Sequence, residues 1–145
     1  MSNWNANMER DYKKGNINEK INKRFIEKYL GTILAETPRY APFDFKNNDF
    51  IVELKCRNCK YGTYADLLMN SSKINYGVRL LDSKRVFFIV RYTDGLYSFE
   101  LTKENKDLII GNQFGGRRDR GRDEMRNDKS YIPNNLFNKI NLEDL

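Results

Sequence analysis

The chain is 145 residues long, the size of one ordinary domain, and its 39% hydrophobic residues are enough to close a core despite 32% charged residues. It contains no histidine, which excludes Ser-His-Asp and Cys-His nucleophiles, histidine-dependent nucleases and every metal site that needs an imidazole. Lys and Arg outnumber Asp and Glu by 26 to 20, and the formal charge of +6 favours a polyanionic partner, nucleic acid first.

In chain order, residues 1–14 are polar and rich in Asn, which predicts a loose N-terminal arm. They lack the apolar run of a secretory signal, and no segment is long and apolar enough for a membrane span, so a soluble intracellular protein is expected, in cytoplasm or nucleoid, or in the host cell for a viral or mobile-element product. From Asn16 to Leu30, Ile17, Ile21, Phe25 and Tyr29 recur every four residues and predict a helix with one apolar stripe, stopped at Gly31. Strands follow at Pro42 to Phe45 and Phe50 to Cys56, joined by a hairpin turn centred on Asn47-Asn48, where asparagines tolerate positive φ.

A second helix is expected from about Tyr64 to Tyr76, with Thr63 and Asp66 as a capping-box-like pair and Gly77 as its left-handed stop. Val86 to Tyr92 reads as a buried strand, reversed by Thr93-Asp94-Gly95 and paired with Leu96 to Leu101. Residues 111–130 form a mobile basic loop in which Arg117, Arg118, Arg120 and Arg122 are suited to phosphate contacts. Leu136, Phe137 and Ile140 suggest a short C-terminal helix. The whole is one domain over residues 1–145. Cys56 and Cys59 are spaced C-x-x-C, but zinc needs two further ligands that the chain lacks, so they read as reduced structural thiols.

The chemistry concentrates in the first hairpin. Side chains alternate along a strand, so Ile51, Glu53 and Lys55 share one face, and a turn at Asn47-Asn48 puts Asp44 opposite Ile51 with Glu53 as its diagonal neighbour. Two acids and an amine clustered on an otherwise apolar strand pair are costly unless a cation joins them. Asp44, Glu53 and the backbone carbonyl of Leu54 offer the oxygen donors that Mg²⁺ prefers, with water completing the shell, and Lys55 stands beside them to assist attack on a phosphodiester.

Pro42-Phe43-Asp44 followed by Glu53-Leu54-Lys55 in a hydrophobic strand resembles the PD-(D/E)xK nuclease superfamily. The resemblance implies an α/β fold with a restriction-endonuclease-like core, a central mixed four- to five-stranded sheet flanked by helices. It further implies that Asp44 and Glu53 bind Mg²⁺ or Mn²⁺, that Lys55 acts on the attacking water, and that an acid of the first helix, here Glu19, completes the site. Lys73, on the helix after the lysine strand, matches the position of a residue that faces the scissile phosphate.

The expected function is a Mg²⁺-dependent deoxyribonuclease, an endonuclease with structure selectivity or weak sequence selectivity, since so small a chain leaves little surface for base readout. Cutting both strands requires a homodimer or two successive events. The alternative is a non-catalytic nucleic-acid-binding module that keeps the nuclease fold, and a third class is a structural or inhibitory partner protein with no response to metal.

Overall fold

The two longest apolar runs of the middle of the chain become neighbouring strands. In the computed structural model, which describes residues 19–111 and 129–145, β3 (Phe50–Cys56) and β5 (Arg85–Tyr92) pair in parallel, Glu53 opposite Phe88 and Lys55 opposite Val90. Residues Val86 to Val90 are all buried, as expected of a strand covered on both faces. The tight Thr93-Asp94 reversal brings β6 (Gly95–Leu101) back antiparallel to β5, as its sequence predicts. On the other side of β3 lie β2 (Phe45–Lys46) and β1 (Ala35–Glu36), and the far edge is β9 (Asn138–Ile140). The mixed sheet is ordered β1-β2-β3-β5-β6-β9. It is the expected α/β architecture with six strands rather than four or five, because β1 and β9, at two and three residues, are too short to carry an alternation signal.

Four expectations are corrected. The segment from Tyr64 to Tyr76 is not one helix: it is strand β4 (Asp66–Asn70) followed by helix α2 (Ser71–Leu80). Leu67 and Met69 are buried and Leu68 is exposed, a period of two, and β4 is held by antiparallel pairing with β8 (Lys129–Pro133) in a second sheet ordered β4-β8-β7, where β7 is Ile110–Gly111. Thr63 bonds through its hydroxyl to the Lys60 carbonyl at 2.7 Å, so it closes a turn rather than capping a helix. Gly77 does not stop α2 but sits buried inside it, where an added Cβ would lie 3.0 Å from Val86 Cγ1 and 3.1 Å from Leu101 Cδ2. The C-terminal helix is replaced by a single 3₁₀ turn, Asn134–Leu136, and by β9, whose backbone is claimed by the open edge of β6.

The described residues divide into two compact units, those between Ala35 and Ile140 forming one, and residues 19–34 with Asn141–Leu145 the other. In the second unit, residues 19–30 form helix α1. Gly31 ends it as expected, in the left-handed region at φ 69°. The Thr32 N–H reaches back to the Glu27 carbonyl at 3.1 Å, the six-to-one bond of a Schellman cap. The predicted stripe is displaced by one residue: Ile21 and Tyr29 are exposed, whereas Asn22 and Ile26 are buried. The interval of four is the same, but Ile21-Asn22 and Phe25-Ile26 offer two adjacent stripes, and a polar residue occupies the inward one. The arm at residues 1–14, Ile17, and Arg117, Arg118, Arg120 and Arg122 lie outside the described residues. The flanks of the predicted basic loop, β7 and the start of β8, are strands. No described helix is long and apolar enough to cross a membrane.

In the first unit one face of the large sheet, carrying Ile51, Val86, Phe88, Val90, Phe99 and Leu101, forms a single core cluster with Phe43, Leu67, Met69, Ile74, Ile132 and Phe137. Ile74 and Gly77 are the inward positions of α2, so α2 and β4 lie on the face that also carries Glu53 and Lys55. Because Val86 and Leu101 leave no room beneath α2, Gly77→Val is expected to lower stability by about 2 kcal/mol through overpacking. Urea unfolding of the two proteins checks this, and equal midpoints would contradict it.

Candidate metal centre

Glu53 occupies the middle of β3, opposite Phe88 of β5 and 2% exposed. An ionisable group seldom stands at such a position without partners. One carboxylate oxygen has one: Oε2 accepts from Lys73 Nζ in a direct ion pair. The other, Oε1, is buried and has no hydrogen-bond partner among the described residues. Burial pushes the Glu53 carboxyl up to about 7, the negative charge of Asp44 pushes the same way, and Lys73 pulls against both.

Asp44 reaches this place by a register different from the expected one. The ladder pairs Phe45 with Val52 and Lys46 with Ile51, so Lys46 rather than Asp44 stands opposite Ile51. The turn explains the shift. It is centred on Asn48-Asp49, with the Asn47 N–H donating to the Phe50 carbonyl at 3.0 Å, and the Asn47 side-chain oxygen accepting from the Asp49 and Phe50 N–H groups at 2.8 Å each. This is an Asx turn, and no described non-glycine residue takes a positive φ. A shift of two residues preserves the face and moves Asp44 from the diagonal of Glu53 towards a position directly beside it.

Asp44 is then fixed at three atoms. Its N–H donates to the Val52 carbonyl at 3.0 Å, its carbonyl accepts from the Thr37 N–H at 3.0 Å, and its Oδ2 accepts from the Leu54 N–H at 2.8 Å. The Thr37 hydroxyl also bonds the neighbouring Phe43 carbonyl. The Val52 carbonyl and the Leu54 N–H both point towards β2, so alternation directs the Leu54 carbonyl to that same edge. Thr37 has no sequence signal beyond a Thr-Pro pair, because its role arises only when β1 lies beside the bend at Asp44.

Lys55 is half-buried on the same face, two residues beyond Glu53. Burial lowers its ammonium below the usual lysine range, Glu53 and Asp44 oppose that shift, and Lys73 and Arg57 add to it. The structure therefore brings together Asp44, Glu53, Lys55 and Lys73, the last carried by α2. Tyr76, one turn after Lys73, packs its ring against Phe43 with centroids 5.7 Å apart. Glu19 is half-buried at the start of the described part of α1, in the other unit. Glu27 in that helix is engaged locally, accepting from the Leu34 N–H at 2.8 Å and pairing with Lys23. Cys56 and Cys59 are free thiols.

A divalent cation fits this donor set. The orphaned Oε1 of Glu53 is a buried carboxylate oxygen in need of a positive neighbour, and Asp44 and the Leu54 carbonyl add two further oxygens. Among the described residues no group of three His, Cys, Asp or Glu is assembled. Few protein ligands, all of them oxygen, suit Mg²⁺, which keeps several waters, better than Zn²⁺, which calls for nitrogen or sulfur.

A family model described as "Phage putative PDDEXK endonuclease" matches residues 10–140. The chain belongs to this family, and through it to the PD-(D/E)xK nuclease superfamily that Asp44, Glu53 and Lys55 resemble; membership implies a nucleic-acid substrate. No match was found among curated proteins or among solved structures.

A raised carboxyl pKa has a signed consequence for stability. Between about pH 4.5 and 7 the folded state holds a proton at Glu53 that the unfolded state has released, so stability falls as pH rises through this window. The full penalty, about 3 kcal/mol in the absence of a cation, applies above pH 7. Glu53→Gln mimics the neutral form. In EDTA it is expected to be more stable than wild type at pH 8 and to match it at pH 4.5, as measured by urea unfolding; a variant less stable at pH 8 would contradict the assignment.

Proposed function

We propose that the protein is a Mg²⁺-dependent endonuclease that hydrolyses DNA phosphodiester bonds, with Mn²⁺ able to replace Mg²⁺, and with structure selectivity or weak sequence selectivity. The observation that carries this is the buried, unpartnered Oε1 of Glu53 beside Asp44 in the central strand of a PD-(D/E)xK fold. When bound, the divalent ion would offset the charge of the scissile phosphate and lower the pKa of a water.

The chain's own residues perform the remaining work. Asp44, pinned at three atoms, presents its carboxylate without the entropy loss of ordering a free side chain. Lys73 holds Glu53 Oε2, which fixes the rotation of the carboxylate and leaves Oε1 directed to the cation. Lys55, with its ammonium lowered by burial, is suited to hold the scissile phosphate and to assist the attacking water at Nζ.

A panel of linear duplex, circular plasmid, single-stranded and four-way-junction DNA, each with Mg²⁺, Mn²⁺ or EDTA, tests this directly. Cleavage is expected with either metal and none with EDTA, and branched DNA is expected to be cut at least as well as linear duplex. Lys55→Ala is expected to reduce cleavage by about 100-fold or more with binding little changed. Asp44→Ala is expected to abolish the heat of Mn²⁺ binding in calorimetric titration. Binding of nucleic acid without cleavage under every metal would instead identify a non-catalytic binding module.

A further inference from the structure

The alternation that places Glu53 and Lys55 on one face does not stop at the end of β3. The Arg57 N–H donates to the Arg91 carbonyl at 2.8 Å, so the ladder with β5 continues one residue past Cys56. Arg57 is therefore third in the series Glu53, Lys55, Arg57. It is half-buried, as is Lys55. Its charge is felt on two sides, at Lys55 and at Tyr92.

Some cations of the described residues have a carboxylate partner: Lys23 has Glu27, Lys73 has Glu53, Arg85 has Glu100, Lys103 has Asp82 and Lys106 has Asp107. Lys55 and Arg57 pair with no carboxylate among the described residues. Two like charges two residues apart, each partly removed from water, repel one another; Glu53 and Asp44 offset part of this at Lys55, and no described carboxylate forms an ion pair with Arg57. A pair of anions with a defined spacing would relieve this repulsion. Side chains two residues apart on a strand are separated by about 6–7 Å, comparable with successive phosphates along one nucleic-acid strand. A guanidinium adds the planar fork that grips two oxygens of one phosphate.

We propose that Arg57 binds the backbone phosphate adjacent to the scissile one, so that β3 engages two consecutive phosphates of a single strand, Lys55 the one to be cut and Arg57 its neighbour. Resting on the nuclease assignment proposed above, this makes β3 a register device: the substrate needs a charged phosphate one step from the cut, whatever its bases. Contact with a phosphate that does not react is equally strong before and during reaction, so its loss raises KM more than it lowers kcat.

The test uses the full chain with Mn²⁺ and duplex oligonucleotides whose cut position has been mapped, each carrying one neutral methylphosphonate at a successive position around the cut. For wild type, one flanking position is expected to raise KM by about 10- to 100-fold. Arg57→Ala is expected to show that rise on the unmodified duplex and no further rise with the methylphosphonate. Lys103→Ala, which removes the same charge elsewhere, should remain sensitive like wild type. Arg57→Lys keeps the stem and the charge but lacks the fork, so it should fall between the two, and it carries the comparison if Arg57→Ala melts early. Wild-type cleavage with an Arg57 variant still fully sensitive to the flanking methylphosphonate would overturn the inference alone, whereas a wild type that cuts no nucleic acid would overturn the nuclease assignment and this inference together.

Discussion

A carboxylate buried in the central strand of a sheet is the constraint around which the larger unit is organised. Glu53 lies where its neighbours along β3 and across β5 are Ile51, Val86, Phe88 and Val90, and hydrophobic burial alone would select an apolar residue there. The fold supplies one counter-charge, Lys73, by a helix on the same face. It adds a second carboxylate, Asp44, where repulsion makes the ionised state still harder to hold. A structure optimised for stability would relieve that conflict. Here it is kept, which is the common signature of a site that trades folding energy for a ligand.

The division of labour among the elements follows from this. β3 is wedged between β2 and β5, which fixes the direction of its side chains. The bend before β2 turns Asp44 so that all its hydrogen-bonding groups except one oxygen have main-chain partners in the described residues. α2 brings a cation from the opposite layer. No single element contains the site, so its geometry reports on the packing of three.

Much of this was legible from the sequence because its clearest signals are local. Period-two alternation in Phe50 to Cys56, with Glu and Lys on one face, needs no tertiary information, and neither does the strand, turn and return strand from Val86 to Leu101. The register of the first hairpin was less accessible: four polar residues in a row allow several turns, and the choice depends on a side-chain acceptor on Asn47 that competes with the positive-φ alternative. The strand at Asp66 to Asn70 was missed because its partner, β8, lies sixty residues further on, and isolated five-residue segments carry too little pattern to outweigh a nearby capping signal. Lys73 was indistinguishable from a solvated helix residue until α2 was placed over β3. Arg57 could have been found by extending the same alternation two residues further.

Gly77 shows how far from the acids the centre can be adjusted. It lies one helical turn after Lys73, on the same side of α2, and the absence of a side chain there lets the helix axis settle against Val86 and Leu101. The same helix carries Lys73, whose ammonium pairs with Glu53. A position without charge thus sets how closely the helix that carries the counter-charge packs on the sheet. A bulkier residue there would press on Val86 and Leu101 and shift that helix while leaving every acidic and basic side chain in the sequence unchanged.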